Sequence, residues 1–143
     1  MVAARPLSVL LAGSALLVAG CGSSTDDPKS ASFSQPEQKA VANAVEDFSD
    51  AARKRDYSAI CDDQLAAGLV KALDRARRGG TCADRLEVSL RDVTATDLAV
   101  RAIRVAGTSA VATVQSTGTG DAEPQQRIEL VKEGSRWKLS GLA

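Results

Sequence analysis

Few residues in this chain are equipped for chemistry. Three cysteines (Cys21, Cys61 and Cys82), two adjacent aspartates (Asp62-Asp63), one tyrosine (Tyr57) and one tryptophan (Trp137) are the groups from which a site could be assembled, and histidine is absent. Its absence removes the commonest general base. Asp62-Asp63 admit two readings. They are paired carboxylates for acid–base work or cation binding, or they are caps and dipole partners beside an expected helix start. The second asks nothing further of the chain. Tyr57 and Trp137 are the candidate ligand contacts, because each joins an apolar body to a polar handle. The plainer alternative for both is packing, Tyr57 beside Cys61 and Trp137 beside Leu139. No catalytic motif is present, and no catalytic residue, metal or cofactor is assigned.

What must be settled before the cysteines can be read is the N-terminus. Arg5 is the only charged residue among the first twenty, and an apolar run of thirteen residues follows from Leu7 to Ala19, broken by Ser8, Gly13 and Ser14. A membrane-spanning helix needs about 20 apolar residues, so this run is the middle of a secretory signal. Val18-Ala19-Gly20-Cys21 resembles the lipobox of bacterial lipoproteins. That resemblance implies that residues 1–20 are removed and that Cys21 carries the lipid, which would hold the protein to the bilayer on the extracytoplasmic face. Two or three acyl chains anchor stably where one does not. Cys61 and Cys82 then remain as a pair. In an oxidising compartment an even pair reads as a disulfide, closing a loop of about twenty residues worth ~3 kcal/mol in the chain-entropy picture. The alternative is two free or metal-binding thiols, and with no histidine a four-ligand zinc site would need carboxylates to complete it.

Removing residues 1–20 from the 143 leaves 123, enough for one domain with its own core. Basic and acidic residues balance at 18 each. Loss of Arg5 with the signal leaves a net charge of −1, which argues against nucleic acid as a partner because counterion release needs a basic face. The densest basic cluster, Lys71, Arg75, Arg77, Arg78 and Arg85, is interrupted by Asp74 and Asp84 and reads as the ordinary bias of a helix end. Aromatics make up only 3% of the chain, so the core must be built from Leu, Val, Ile and Ala.

The elements follow in order. Residues 21–35 are small and polar, the composition of a flexible tether behind the acylated cysteine. Ser34-Gln35-Pro36-Glu37 has the form of a capping box with proline in the first turn. Val41, Ala44, Val45, Phe48, Ala51 and Ala52 then recur at amphipathic helical spacing, predicting a helix to Lys54 or Arg55. Asp56 can cap a short turn holding Ile60 and Cys61. Asp62 or Asp63 can cap a third helix whose apolar face is Leu65, Leu69 and Leu73, ended by Gly79-Gly80. Thr81 to Val93 is a further helical piece or a strand. Beyond Thr94 the residues turn β-prone over 100–105, 110–115, 127–131 and 136–142, with turn signals between. Such a series is most simply an antiparallel meander. Helices first and strands after is the α+β pattern, here a single domain over 36–143.

The order of features resembles small bacterial lipoproteins with a nuclear transport factor 2-like (cystatin-like) domain. The likeness lies in the first helix ending in Arg-Lys-Arg-Asp-Tyr, the Ile60-Cys61 and Gly-Gly-Thr-Cys82 segments, the hairpin-like stretch 105–111 and the closing segment 130–139. It implies N-terminal helices packed on a curved antiparallel sheet that forms a cone with a pocket at its open end. Members of that superfamily include enzymes with an Asp, His or Tyr in the pocket, and also non-catalytic domains. The expectation is a non-catalytic module that binds a small apolar ligand or an envelope protein. The alternatives are an isomerase or hydrolase-like enzyme using a carboxylate in the cone, and a structural accessory domain of an envelope complex.

Overall fold

The computed structural model describes residues 31–76, 79–91, 97–117 and 125–142. The fold is α+β: four helices and a four-stranded, open antiparallel sheet. Helix α1 spans Pro36–Arg53, α2 is the single turn Tyr57–Ala59, a π-helical turn covers Ile60–Gln64, α3 is Ala67–Arg75 and α4 is Cys82–Ser89. The strands β1 (Asp97–Ala106), β2 (Ser109–Thr117), β3 (Gln126–Glu133) and β4 (Arg136–Leu142) lie side by side in chain order. The β1–β2 and β3–β4 hairpins turn on two residues each, and Gly107 and Gly134 supply the positive φ that the first turn position requires.

α1 covers one face of the sheet, packing mainly on β1 and β4. Its Val41, Ala42, Ala44, Val45 and Ser49 are buried and meet the inward positions of the strands. Those positions are Val100 and Ile103 of β1, Ala110, Ala112 and Val114 of β2, Ile128 and Leu130 of β3, and Trp137 and Leu139 of β4. A bulge between Val100 and Ala102 keeps both Val100 and Ile103 on the core face, and a second lies between Glu129 and Leu130. The stretch read as tether reaches the sheet before α1 begins: the Ala31 N–H donates to Val100 O at 2.8 Å, and Phe33 packs against the core.

Two expected caps do not form. The residue preceding α1 is Gln35, with no side-chain cap, because Glu37, the acid of the expected box with Ser34, is drawn to Lys132 and Trp137. Charge-assisted bonds to a lysine outweigh a neutral local cap. Asp62 and Asp63 do not cap the third helix either. They lie in the π turn, while Leu65 and Ala66 run extended against the edge of β4, with the Ala66 N–H donating to Leu139 O at 2.8 Å. That pairing delays α3 until Ala67, whose N–H donates instead to Glu133 Oε1 at 2.9 Å. The segment after Thr81 resolves as helix, with a capping box between Thr81 and Asp84. Val93, at the far end of that expected piece, lies outside the described residues.

A disulfide joins Cys61 in the π turn to Cys82 at the start of α4, with the Cα atoms 6.1 Å apart. No residue of α3 is fully buried, and in α4 only Cys82 is. Leu69, Val70, Leu73, Ala83 and Leu86 add half-buried contacts. The cross-link therefore holds a helical layer whose own apolar burial is thin. Replacing both cysteines, Cys61→Ala with Cys82→Ala, is expected to cost about 3 kcal/mol. That corresponds to a melting-temperature drop of roughly 10–20 °C, matched by adding reductant to the parent protein. A melt within a few degrees of the parent would show that packing alone holds this layer.

Candidate functional site

The α1 layer and the sheet do not close on each other at one end. There, where β1 and β3 begin and β2 and β4 finish, a cavity of about 330 Å³ opens, within the size range of small-molecule sites. Phe48 and Ala52 of α1, Leu98 of β1, Val114 of β2, Ile128 of β3 and Leu142 of β4 form its apolar wall, and Tyr57 and Leu90 contribute to its lining. After Phe48 the inward side of α1 shrinks to Ala52 at this end, which leaves the space unfilled. Leu142 is 78% exposed at this end, an apolar side chain at the cavity edge.

The polar lining comprises Ser49, Ser116, Gln126 and Tyr57 with two arginines. Ser49 is buried, and its Oγ accepts from the Leu98 N–H at 3.3 Å. Arg53 pairs with Asp50 and, at 3.1 Å, with Asp97, leaving its charge neutralised twice over. Arg55 also lines the cavity, exposed, and its side chain makes no hydrogen bond or ion pair among the described residues. No aspartate or glutamate lines the cavity among the described residues. Arg55 sits at φ 57°, the only non-glycine residue with positive φ among those described. It occupies the left-handed position of a Schellman ending. The Arg55 N–H donates to Ala52 O and the Asp56 N–H to Ala51 O, both at 3.0 Å, a place usually taken by glycine. The left-handed conformation costs a side-chain-bearing residue roughly 1–2 kcal/mol.

The two candidate ligand contacts are not brought together. Tyr57, half-buried, lies on the cavity and also on an adjoining groove of about 400 Å³ with Arg55, Glu87 and Arg91. Trp137 lies at the opposite end of β4, buried in the core. Its Nε1–H donates to Glu37 Oε2 at 2.8 Å, Lys132 Nζ donates to Glu37 Oε1 at 2.7 Å, and the same ammonium stands 5.8 Å from the indole centroid. Trp137 also borders a smaller crevice of about 250 Å³ beside Asp63 and Arg136. Asp63 Oδ1 accepts from Arg136 at 3.2 Å, and the Asp62 carbonyl accepts from Lys138 at 3.3 Å. Both aspartates thus anchor the π turn to β4. Among the described residues, no cluster of three or more metal-ligating side chains is present. Cys21, the expected lipid attachment point, lies outside the described residues.

Sequence reasoning passed over Arg55 and Leu142. A signal for the first was present: the helix ends in Arg-Lys-Arg-Asp with no glycine at the position where the chain must turn left-handed. For Leu142 there was none, since an apolar residue closing a strand reads as core. No protein-family model matches this chain, and no curated protein is significantly similar to it. No helix among the described residues is long and apolar enough to cross a membrane.

The hydrogen bond from Lys132 first, then that from Trp137, holds the Glu37 carboxyl below its usual range, against the opposing effect of burial. A depressed carboxylate pKa stabilises the fold above the unfolded-state value, and this stabilisation is lost as pH falls through the folded-state value. The loss is therefore expected below about pH 4. Melting temperatures followed from pH 7 to pH 3 should fall more steeply for the parent than for Glu37→Gln, which has nothing to protonate. Parallel curves would mean that the carboxylate is not what ties Trp137 to α1.

Proposed function

We propose that this protein is an envelope lipoprotein, anchored to the outer face of the cell membrane through acylated Cys21, and that its domain binds a small apolar ligand without catalysing a reaction on it. The observation that carries the binding reading is the cavity, walled by α1 and all four strands, with a predominantly apolar wall and without a carboxylate among its described lining residues. General acid–base catalysis needs a titratable group within hydrogen-bond reach of substrate, and Tyr57 alone, half-exposed at the side, is a poor basis for one. An apolar guest, by contrast, gains roughly 25 cal/mol for each Å² it removes from water.

The nuclear transport factor 2-like reading of the domain is supported by the chain order, helices first and a four-stranded meander after, by α1 lying across one sheet face, and by the two bulges. Bulges bend a strand and increase its twist, which a sheet needs in order to wrap around a pocket. The anchoring reading is supported by the short apolar run and the Val18-Ala19-Gly20-Cys21 sequence. The scarcity of charge asymmetry speaks against nucleic acid, and an envelope protein remains the other class of partner.

The intact mass of protein taken from its native membrane should correspond to a chain beginning at an acylated Cys21. An unmodified N-terminus would make it a freely secreted protein. For the cavity, a neutral apolar fluorophore such as N-phenyl-1-naphthylamine should bind the purified protein with enhanced emission. Ala52→Trp, which places an indole in the cavity, should weaken that binding at least tenfold while circular dichroism stays unchanged. Equal binding by the variant would locate the dye elsewhere and remove the cavity reading.

A further inference from the structure

We infer that the ligand is an anionic amphiphile of the fatty-acid class, its hydrocarbon chain lying along the apolar wall and its carboxylate meeting Arg55 at the mouth. The inference rests on the cavity being a ligand site and adds the chemistry of the head group. Three observations converge on it.

The first is the sign of the charge. Arg53 and Arg55 both line the cavity and no described carboxylate does. The adjoining groove adds Arg91, with Glu87 as its one acid. Asp50 and Asp97 already neutralise Arg53, and Glu87 shares the groove with Arg91, so Arg55 is the cation at the mouth that an anionic head group would meet. The second is availability. Arg53 is committed to Asp50 and Asp97, whereas the Arg55 guanidinium has no partner among the described residues and is exposed. A guanidinium presents a planar fork that fits a carboxylate bidentately.

The third is the backbone. Arg55 stands at φ 57° in the one helix ending among the described residues that combines a left-handed residue with both Schellman hydrogen bonds. Glycine would serve that turn at lower conformational cost. An arginine at a helix C-terminus gains some interaction with the helix dipole, but Arg53 and Lys54 already place cations there, and the left-handed turn itself favours glycine. Strain of this kind is characteristically kept at binding sites. Tyr57, two residues on, borders both cavity and groove and sits where an amphiphile passes from its apolar to its polar part.

The test uses the full chain carrying Cys21→Ser, so that no acyl group of the protein's own competes. It is titrated without detergent with cis-parinaric acid, a fluorescent fatty acid, and with its methyl ester. The acid should bind about tenfold more tightly than the ester at pH 7, a difference of ~1.4 kcal/mol, and the preference should shrink with added salt because the site is exposed. Arg55→Gly should abolish the preference, leave ester affinity unchanged and keep or raise the melting temperature. Arg55→Asn, also tolerated in the left-handed region, should do the same and guards against a misfolded glycine variant. Equal affinity for acid and ester in the parent, or a preference that survives both substitutions, overturns the head-group assignment and leaves the cavity reading standing. Binding of neither ligand overturns both.

Discussion

The rest of the structure depends on how a chain short of large apolar residues keeps its helical layer in place. α1 is secured by ordinary burial, with Val41 and Val45 fully enclosed against the strands. The segment from Tyr57 to Ser89 has no such face. Ile60, Cys61, Leu65, Ala66 and Cys82 are its fully buried residues, and α3 contributes none. What holds it is a set of links to better-anchored elements: the Cys61–Cys82 bond, the Ala66–Leu139 pairing, the Glu133 cap on α3 and the Asp63–Arg136 pair. The last is exposed and contributes little by itself. The disulfide is the covalent member, and it sets where α4, and with it Leu90 at the cavity wall, can stand.

The two ends of the α1–sheet sandwich are treated in opposite ways. At one end the chain's only tryptophan is enclosed, its indole N–H satisfied by Glu37 and Lys132 lying over its ring. This joins the first turn of α1 to the last hairpin. Residues a hundred positions apart become neighbours there, and the core is filled. At the other end Phe48 and Ala52 of α1 face Leu98, Val114, Ile128 and Leu142 of the strands across an unfilled space. The cavity is thus a consequence of where the few bulky residues were placed. Its edge carries Arg55 in a backbone conformation that a glycine would adopt more cheaply.

Local signals in the chain were read correctly where the structure used them locally. The apolar spacing of α1, Asp56 ahead of α2, the glycines of the two hairpins and the β-prone runs all depend on properties within a few residues. The expected capping roles of Ser34, Glu37, Asp62 and Asp63 gave way to contacts with β3 and β4. Glu37 binds Lys132 and Trp137, Asp63 binds Arg136, the Asp62 backbone carbonyl takes Lys138, and the Ala66–Leu139 pairing delays α3; such partners are invisible along the sequence. Tyr57 and Trp137 were singled out together as aromatic contacts, but only distance in the folded molecule could separate a cavity-lining tyrosine from an enclosed tryptophan.

By itself, then, the sequence determined the α+β order, the position of α1 and the strands to within a few residues, and a disulfide between Cys61 and Cys82 as the favoured pairing, because spacing, turn residues and cysteine count are local or countable properties. The tertiary structure alone decided that α3 starts late, that Glu37 serves β3 and β4, that the core is full around Trp137 and empty beyond Ala52, and that Arg55 faces the opening. Those outcomes follow from side-chain volumes and charges meeting across elements, and no pattern along one strand of sequence encodes which surfaces will meet.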